Sequence, residues 1–244
     1  MINLAVIEKD FTISFKETGK SNTLSNRGFL SCMEDIGGYH SDLVGFGIND
    51  IAKTRLSWIL LGWKVHIIKR PSYGHPIHFK TWARHTEKFY TYRDFEAYDH
   101  EGNLLAVATS KWVFVNIDTG RITRLTDDVI SRYDPEMKSV FPEIEMEKLK
   151  EPTSYSYTYL YKVLRMNIDI NKHMHNLYYL DVAYEALPEE VYENQDFMNF
   201  EIMYKHEVKL GETLKCLYSK EPDGHYIVMK SEDEKVLHAI VKLY

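Results

Sequence analysis

The chain runs through one order of elements twice, and that repeat narrows its possible folds more than any other feature. Hydrophobic periodicity predicts a helix over 24–43, with Phe29, Met33, Ile36 and Leu43 on one face. Ser25 or Asn26 is its expected cap, and Gly45 and Gly47 its stop signals. Strand-like runs follow at 57–69, 76–84, 88–99 and 104–116, the last two joined by the turn DHEG. The second half keeps the same order. SYSYTYLYKV at 154–163 sets Tyr at every second position, a strand period. A helix is predicted over 174–187, with Leu177, Leu180, Tyr184 and Leu187 together and Pro188 ending it. Strands are expected at 199–210, 213–220, 225–230 and 236–243.

The halves also match at finer grain. RPSYGHPI (70–77) pairs with EVKLGETL (207–214), each holding a Gly between strand patterns, and KWVFV (111–115) pairs with the closing IVKLY. Residues 117–152 are charged and proline-bearing, and read as a short helix near 126–133 followed by a linker. The result is an α+β chain of two like units, each a long helix wrapped by an antiparallel sheet. The expected divisions are 1–135, a linker over 136–152, and 153–244.

Charge and cysteine content exclude some functions. A net charge of −6 disfavours a nucleic-acid binder, which carries a basic balance or stripe. An acidic protein partner stays open, because a local basic patch suffices to steer association. Cys32 and Cys216 do not suggest a stapled secreted scaffold. The N-terminal MINLAVIEKD lacks the pattern of a signal peptide, and SWILLGW (57–63) is too short to span a bilayer. The expectation is a soluble, cytoplasmic protein.

The chemistry concentrates at NIDINKH, 167–173. In an extended segment alternate side chains share a face, so Asp169, Asn171 and His173 would project together above Ile168 and Ile170. A helix start follows, whose unpaired amides favour developing negative charge. A carboxylate, an amide and an imidazole beside such an end suit carbonyl hydrolysis. The same letters also make an ordinary helix cap, and His173 with His175 gives only a faint metal signal. Aligned by helix register, the counterpart in the first half is SNTLS (21–25), which has neither acid nor imidazole.

Asp169, Asn171, His173, Asn176 and Tyr179 form D-x-N-x-H-x-x-N-x-x-Y, which resembles the signature of acyl-ACP thioesterases. These enzymes release fatty acids from acyl carrier protein in plants and many bacteria. WKVHIIKRPSYGHPIHFKTW (63–82), YRDFEAYDHEGNLLAVATSKWV (92–113) and TGRITRL resemble the family's first half, so the likeness covers roughly 10–240. It implies a tandem hotdog fold, with acyl-chain binding in the first unit and catalysis in the second. It also implies a catalytic Glu in a strand that here reads YKHEV, which is Glu207; the family's next residue, Cys, is Val208. Alternation alone would put Glu207 on a solvated face with Glu201, Lys205 and Lys209, and a bulge would reverse that.

The expected reaction, by resemblance, is hydrolysis of fatty acyl-ACP in fatty acid biosynthesis, with no metal or organic cofactor. Glu207 or Asp169 would activate water, His173 and Asn171 would position the thioester, and helix-end amides would hold the oxyanion. Direct attack by a carboxylate is the alternative. No G-x-S-x-G elbow is present. The partner is acyl carrier protein, which is acidic, and Lys53 with Arg55 or Lys69 with Arg70 are candidates for its basic landing surface. Monomer and homodimer are both compatible. The beginning of the chain resembles the bacterial rather than the plastid form. An acyl-CoA thioesterase or dehydratase on the same fold, and a non-catalytic acyl-binding module, are the other readings.

Overall fold

The computed structural model describes residues 5–84, 88–143 and 145–244; the first residues of the N-terminal stretch and one linker position lie outside these. The chain forms two compact units, Met1–Leu61 with Val65–Met146, and Gly62–Lys64 with Glu147–Tyr244.

In the first unit, β1 (Val6–Thr12) runs through a 3-10 turn at Phe15–Glu17 into α1 (Asn26–Leu43). Ser25 caps α1, its side chain accepting from the Gly28 amide and so satisfying one of the helix's free donors. Then come α2 (Ile51–Thr54), β2 (Leu56–Ile67), β3 (Pro76–Ala83), β4 (Tyr90–Tyr98), β5 (Leu104–Asn116), β6 (Arg121–Thr123) and α3 (Asp127–Tyr133). The sheet order is β1-β3-β4-β5-β2, with β6 on β5. Phe29, Leu30, Met33 and Ile36 lose all contact with water, and α1 lies against β1 and β3. Burying each of these side chains contributes about 1.5–3 kcal/mol, so this stripe holds the helix in place. Leu43, expected on that face, is exposed: the buried stripe ends at His40, within the last turn.

The second unit repeats the plan. Strand β7 (Tyr157–Lys162) leads through a 3-10 turn at Arg165–Asn167 to α4 (Asn176–Glu185). After α5 (Glu189–Asn194) come β8 (Asn199–Tyr204), β9 (Thr213–Glu221), β10 (Gly224–Ser231) and β11 (Leu237–Leu243), in the order β8-β11-β10-β9-β7. Leu177, Leu180, Val182 and Ala183 form the buried face of α4. The architecture is a tandem hotdog.

Matching turns confirm the fine-grained repeat between 70–77 and 207–214. Gly74 sits at φ +76° and Gly211 at φ +85°, a region that only glycine enters freely. Gly74 donates to the Ile13 carbonyl at 3.0 Å, and Gly211 to that of Val163 at 3.1 Å. The other fine match is corrected. A bulge shifts β4–β5 register between Ala97 and Tyr98, and β10–β11 register between Met229 and Lys230. Superposing the bulges sets Ala239 on Ala106, so IVKLY corresponds to VATSK (107–111), not to KWVFV.

The short elements β1, α2, β6 and α5 lack a strong period, and sequence reading passes over them. The expected strand 199–210 stops at Tyr204. Among the described residues no helix is long and apolar enough to cross a membrane.

Candidate active site

The approach to α4 is a closed loop. Asn167 is buried, and its side-chain oxygen accepts from the Leu164 amide at 2.7 Å and the Tyr161 hydroxyl at 2.9 Å. Its carbonyl takes the His175 amide at 2.8 Å. An Ile168–Met174 bridge then closes the base. The helix cap is His175, not His173: its Nδ1 accepts from the Leu177 amide at 3.3 Å. The Tyr178 amide goes to the His175 carbonyl at 3.0 Å, so these two helix-end amides are engaged within the chain.

Residues 169–173 are therefore not an extended segment. The chain reverses at Ile170–Asn171, and Lys172 takes φ +65°. Asp169 turns its carboxylate back into the loop, where Oδ1 accepts from the amides of Asn171 at 2.8 Å and His173 at 3.2 Å. Asn171 Nδ2 donates to Oδ2 at 3.4 Å. Short polar side chains make such turns by standing in for backbone acceptors. Asp169 thus fixes the positions of Asn171 and His173 instead of sharing a face with them.

Glu207 reaches the same place from another element. The amides of Lys205 and His206 both point at the His238 carbonyl, at 2.8 and 3.4 Å. Two residues oppose one, as in a bulge, and the alternation that would carry through 210 breaks. His206 and Leu210, expected on the apolar face, are exposed, while Val208 is fully buried and Glu207 exposed as alternation has them. The Met174 amide donates to the Val208 carbonyl at 2.8 Å, and His173 bridges Lys209. This brings His173 Nε2 to 3.5 Å from Glu207 Oε1, with the side chains 32% and 59% exposed. The pair is open to water, which a hydrolytic base requires.

Two tyrosines brace this crossing. Tyr204 Oη donates to the Asn176 carbonyl at 3.1 Å, and its ring meets Tyr179 edge-on at 5.3 Å. Burial, then the charge of Glu207, pushes the Tyr179 phenol above its ordinary range, so Tyr179 stays neutral. Sequence reading takes Tyr204 only as an apolar-face residue; its hydroxyl was the available signal. Burial pushes the thiols of Cys32 and Cys216 up to about 12, so neither offers a thiolate near neutral pH. Among the described residues no three His, Cys, Asp or Glu side chains are grouped to hold a metal ion.

Residues 5–133 match the acyl-ACP thioesterase N-terminal domain, and residues 150–242 the C-terminal domain. The chain belongs to the acyl-ACP thioesterase family. Within this family it is 27% identical to oleoyl-acyl carrier protein thioesterase 1 of Arabidopsis thaliana over 86% of this chain and 62% of that protein. To the palmitoyl-acyl carrier protein thioesterase of Cuphea hookeriana it is 25% identical, over 90% of this chain and 56% of that protein. The chain thus spans less than two thirds of these relatives. Its fold matches an acyl-ACP thioesterase of Bacteroides thetaiotaomicron with a TM-score of 0.87 at 20% identity, covering 98% of this chain and 97% of that one. The 12:0-ACP thioesterase of Umbellularia californica gives 0.86 at 21%, covering 100% and 98%.

Proposed function

We propose that this chain hydrolyses the thioester between a fatty acyl group and acyl carrier protein, releasing the fatty acid and the carrier thiol in fatty acid biosynthesis. The observation that carries the reading is the approach of His173 to Glu207 across a loop pinned by Asp169, in a member of this family. Glu207 is the base and takes a proton from water as its oxygen attacks the thioester carbonyl. Asn171 Nδ2 and His173 hold the developing oxyanion, where fixed donors act most strongly. When the tetrahedral intermediate collapses, the C–S bond breaks and the leaving sulfur takes the proton held by Glu207. Asp169 is a positioning residue whose acceptors are occupied by the loop. The first unit binds the acyl chain and the second performs the chemistry: the first unit's equivalent loop, GKSNT at 19–23, carries no acid or imidazole. A soluble carrier substrate makes the cytoplasm the working compartment.

Free-thiol release from acyl-ACPs of several chain lengths, beside the matching acyl-CoAs, tests this with wild type and Glu207→Gln. Turnover of acyl-ACP that Glu207→Gln lowers by about 10²-fold or more is expected, within the range for a general base. Turnover of acyl-CoA alone would reassign the substrate. Folded protein that releases no thiol from any of them would end the hydrolase reading.

A further inference from the structure

Each unit ties the end of one strand to the start of its long helix, and the two ties are built differently. The amides of Ile68 and Lys69 both point at the Leu105 carbonyl, at 2.8 and 3.1 Å, as those of Lys205 and His206 point at His238. Matching these bulges sets Ile67, where β2 ends, on Tyr204, where β8 ends. It also sets Arg70 on Glu207, and the matching loops set Asn26 on Asn176.

In the first unit Arg70 makes the tie. Its guanidinium donates to the Leu24 carbonyl at 2.9 Å and to the Asn26 side-chain oxygen at 2.5 Å. An ionised carboxylate only accepts, so Glu207 cannot reproduce the bond to a carbonyl. In the second unit the tie sits earlier on the strand: the Tyr204 hydroxyl donates to the Asn176 carbonyl at 3.1 Å. Ile67, its counterpart, has no donor. The neighbour changes in step. Tyr204 meets Tyr179 edge-on at 5.3 Å, and the first unit has Phe29 at the place of Tyr179; all four side chains are buried. The hydroxyl therefore appears in the unit where the guanidinium is replaced by an acid.

We infer that Tyr204 is a positioning residue for the reaction, its hydroxyl holding the strand end that presents Glu207 against the loop that presents His173. This rests on the reading of Glu207 as the base. Glu207 follows Tyr204 by three residues and His173 precedes Asn176 by three, so the bond spans the crossing close to the reacting pair. His173 Nε2 lies 3.5 Å from Glu207 Oε1, and neither side chain is buried. Packing around the pair does little to set that distance, which leaves it to the backbone that Tyr204 ties down. Misplacement of a catalytic group by about 1 Å can cost about 10²-fold in rate.

The test measures acyl-ACP hydrolysis by wild type, Tyr204→Phe, Glu207→Gln and the double variant, with urea melts to show that each is folded. Tyr204→Phe keeps the ring against Tyr179 and removes only the donor. Tyr218→Phe is the control: it deletes a buried hydroxyl of the same unit, bonded to His225 Nδ1 at 2.8 Å. The expected result is kcat lowered about 10-fold by Tyr204→Phe. KM should stay unchanged, as when an interaction serves only the transition state. Adding Tyr204→Phe to Glu207→Gln should cost nothing more, because residues that act through one another are not additive. Tyr218→Phe should leave kcat unchanged. Full activity in Tyr204→Phe would overturn the inference and leave the hydrolase reading intact. A loss that multiplies with that of Glu207→Gln, or an equal loss in Tyr218→Phe, would mark general loosening of the unit and also overturn it. Folded wild type that releases no thiol would remove the base, and the positioning role with it.

Discussion

The loops entering α1 and α4 share a backbone and differ in chemistry. In one the Gly19 amide meets the Thr23 carbonyl at 2.9 Å; in the other Asp169 meets His173 at 2.9 Å. Bridges Thr18–Leu24 and Ile168–Met174 close them, and Asn22 at φ 57° answers Lys172 at φ 65°. The Leu24 amide takes the Pro71 carbonyl as Met174 takes that of Val208. On this common frame Gly19, Ser21, Thr23 and Arg70 stand where Asp169, Asn171, His173 and Glu207 stand. The first loop shows that the turn closes with no acid and no imidazole. What the second adds is therefore not required to close the turn. The exchange at one position is the most telling: Arg70 binds the start of its own helix, whereas Glu207 faces an imidazole and solvent.

That contrast predicts where turnover breaks. His173→Ala and Glu207→Gln should each lower kcat by about 10²–10⁴-fold with little change in melting temperature, because both side chains are partly exposed. Thr23→Ala, at the equivalent position, should leave acyl-ACP hydrolysis within about two-fold of wild type, surface changes of this kind being small. A comparable loss from Thr23→Ala would dissolve the distinction between the loops.

A subtler effect separates the two carboxylates. Asp169→Asn keeps an oxygen for the amides of Asn171 and His173, so most activity should survive if Asp169 only positions. Asp169→Gly copies the first loop, removes those acceptors, and should cost about 1–2 kcal/mol of stability and about 10-fold in kcat, since loosened positioning is expensive. Steady-state rates and urea melts on the pair decide the matter. Abolished turnover in Asp169→Asn would transfer the base role from Glu207 to Asp169.

The repeat was legible because long helices and strands announce themselves through period, and Gly74 and Gly211 mark equivalent turns. The site was legible as a set of residue types, not as a geometry. Alternation in NIDINKH suggests an extended strand, yet Asp169 satisfies backbone amides locally, and such a turn has no periodic signature. The same local bonding placed the counterpart loop at 19–23, two residues earlier than helix register predicts. Alternation placed Glu207 correctly on an exposed face but misplaced His206 and Leu210, expected on the apolar face and found exposed, because a bulge at the His238 carbonyl is a tertiary event that no single strand encodes. The approach of Glu207 to His173 depends on the pairing of distant segments, which only the folded backbone reveals.

The comparison can also be tested on stability alone. Arg70 is half-buried and donates to the Leu24 carbonyl and Asn26 side chain. Hydrogen bonds from a charged group contribute about 1.5–3 kcal/mol, so Arg70→Ala should destabilise the first unit by roughly that much. Three of the four tryptophans, Trp58, Trp82 and Trp112, lie in that unit, so fluorescence follows mainly its urea unfolding. Glu207→Ala, at the matching place, should shift the unfolding midpoint hardly at all. Equal shifts would mean that both charges serve structure.

The smallest expected effect concerns sulfur. Cys32 in α1 corresponds to Val182 in α4, and Cys216 in β9 to Phe79 in β3; all four are buried. Each cysteine thus fills a core position that the other unit gives to hydrocarbon, as a small apolar side chain would. With both thiols raised to about 12, the second by burial alone and the first by burial with Glu17 and Asp35 adding to it, the thiolate is scarce near neutral pH. Iodoacetamide should leave acyl-ACP turnover unchanged, and Ellman's reagent should report both thiols only after denaturation. Rapid inactivation of the native protein, protected by substrate, would instead point to a sulfur nucleophile. Both units argue against one: Val208 follows Glu207, and neither cysteine lies in the loop that brings His173 to it.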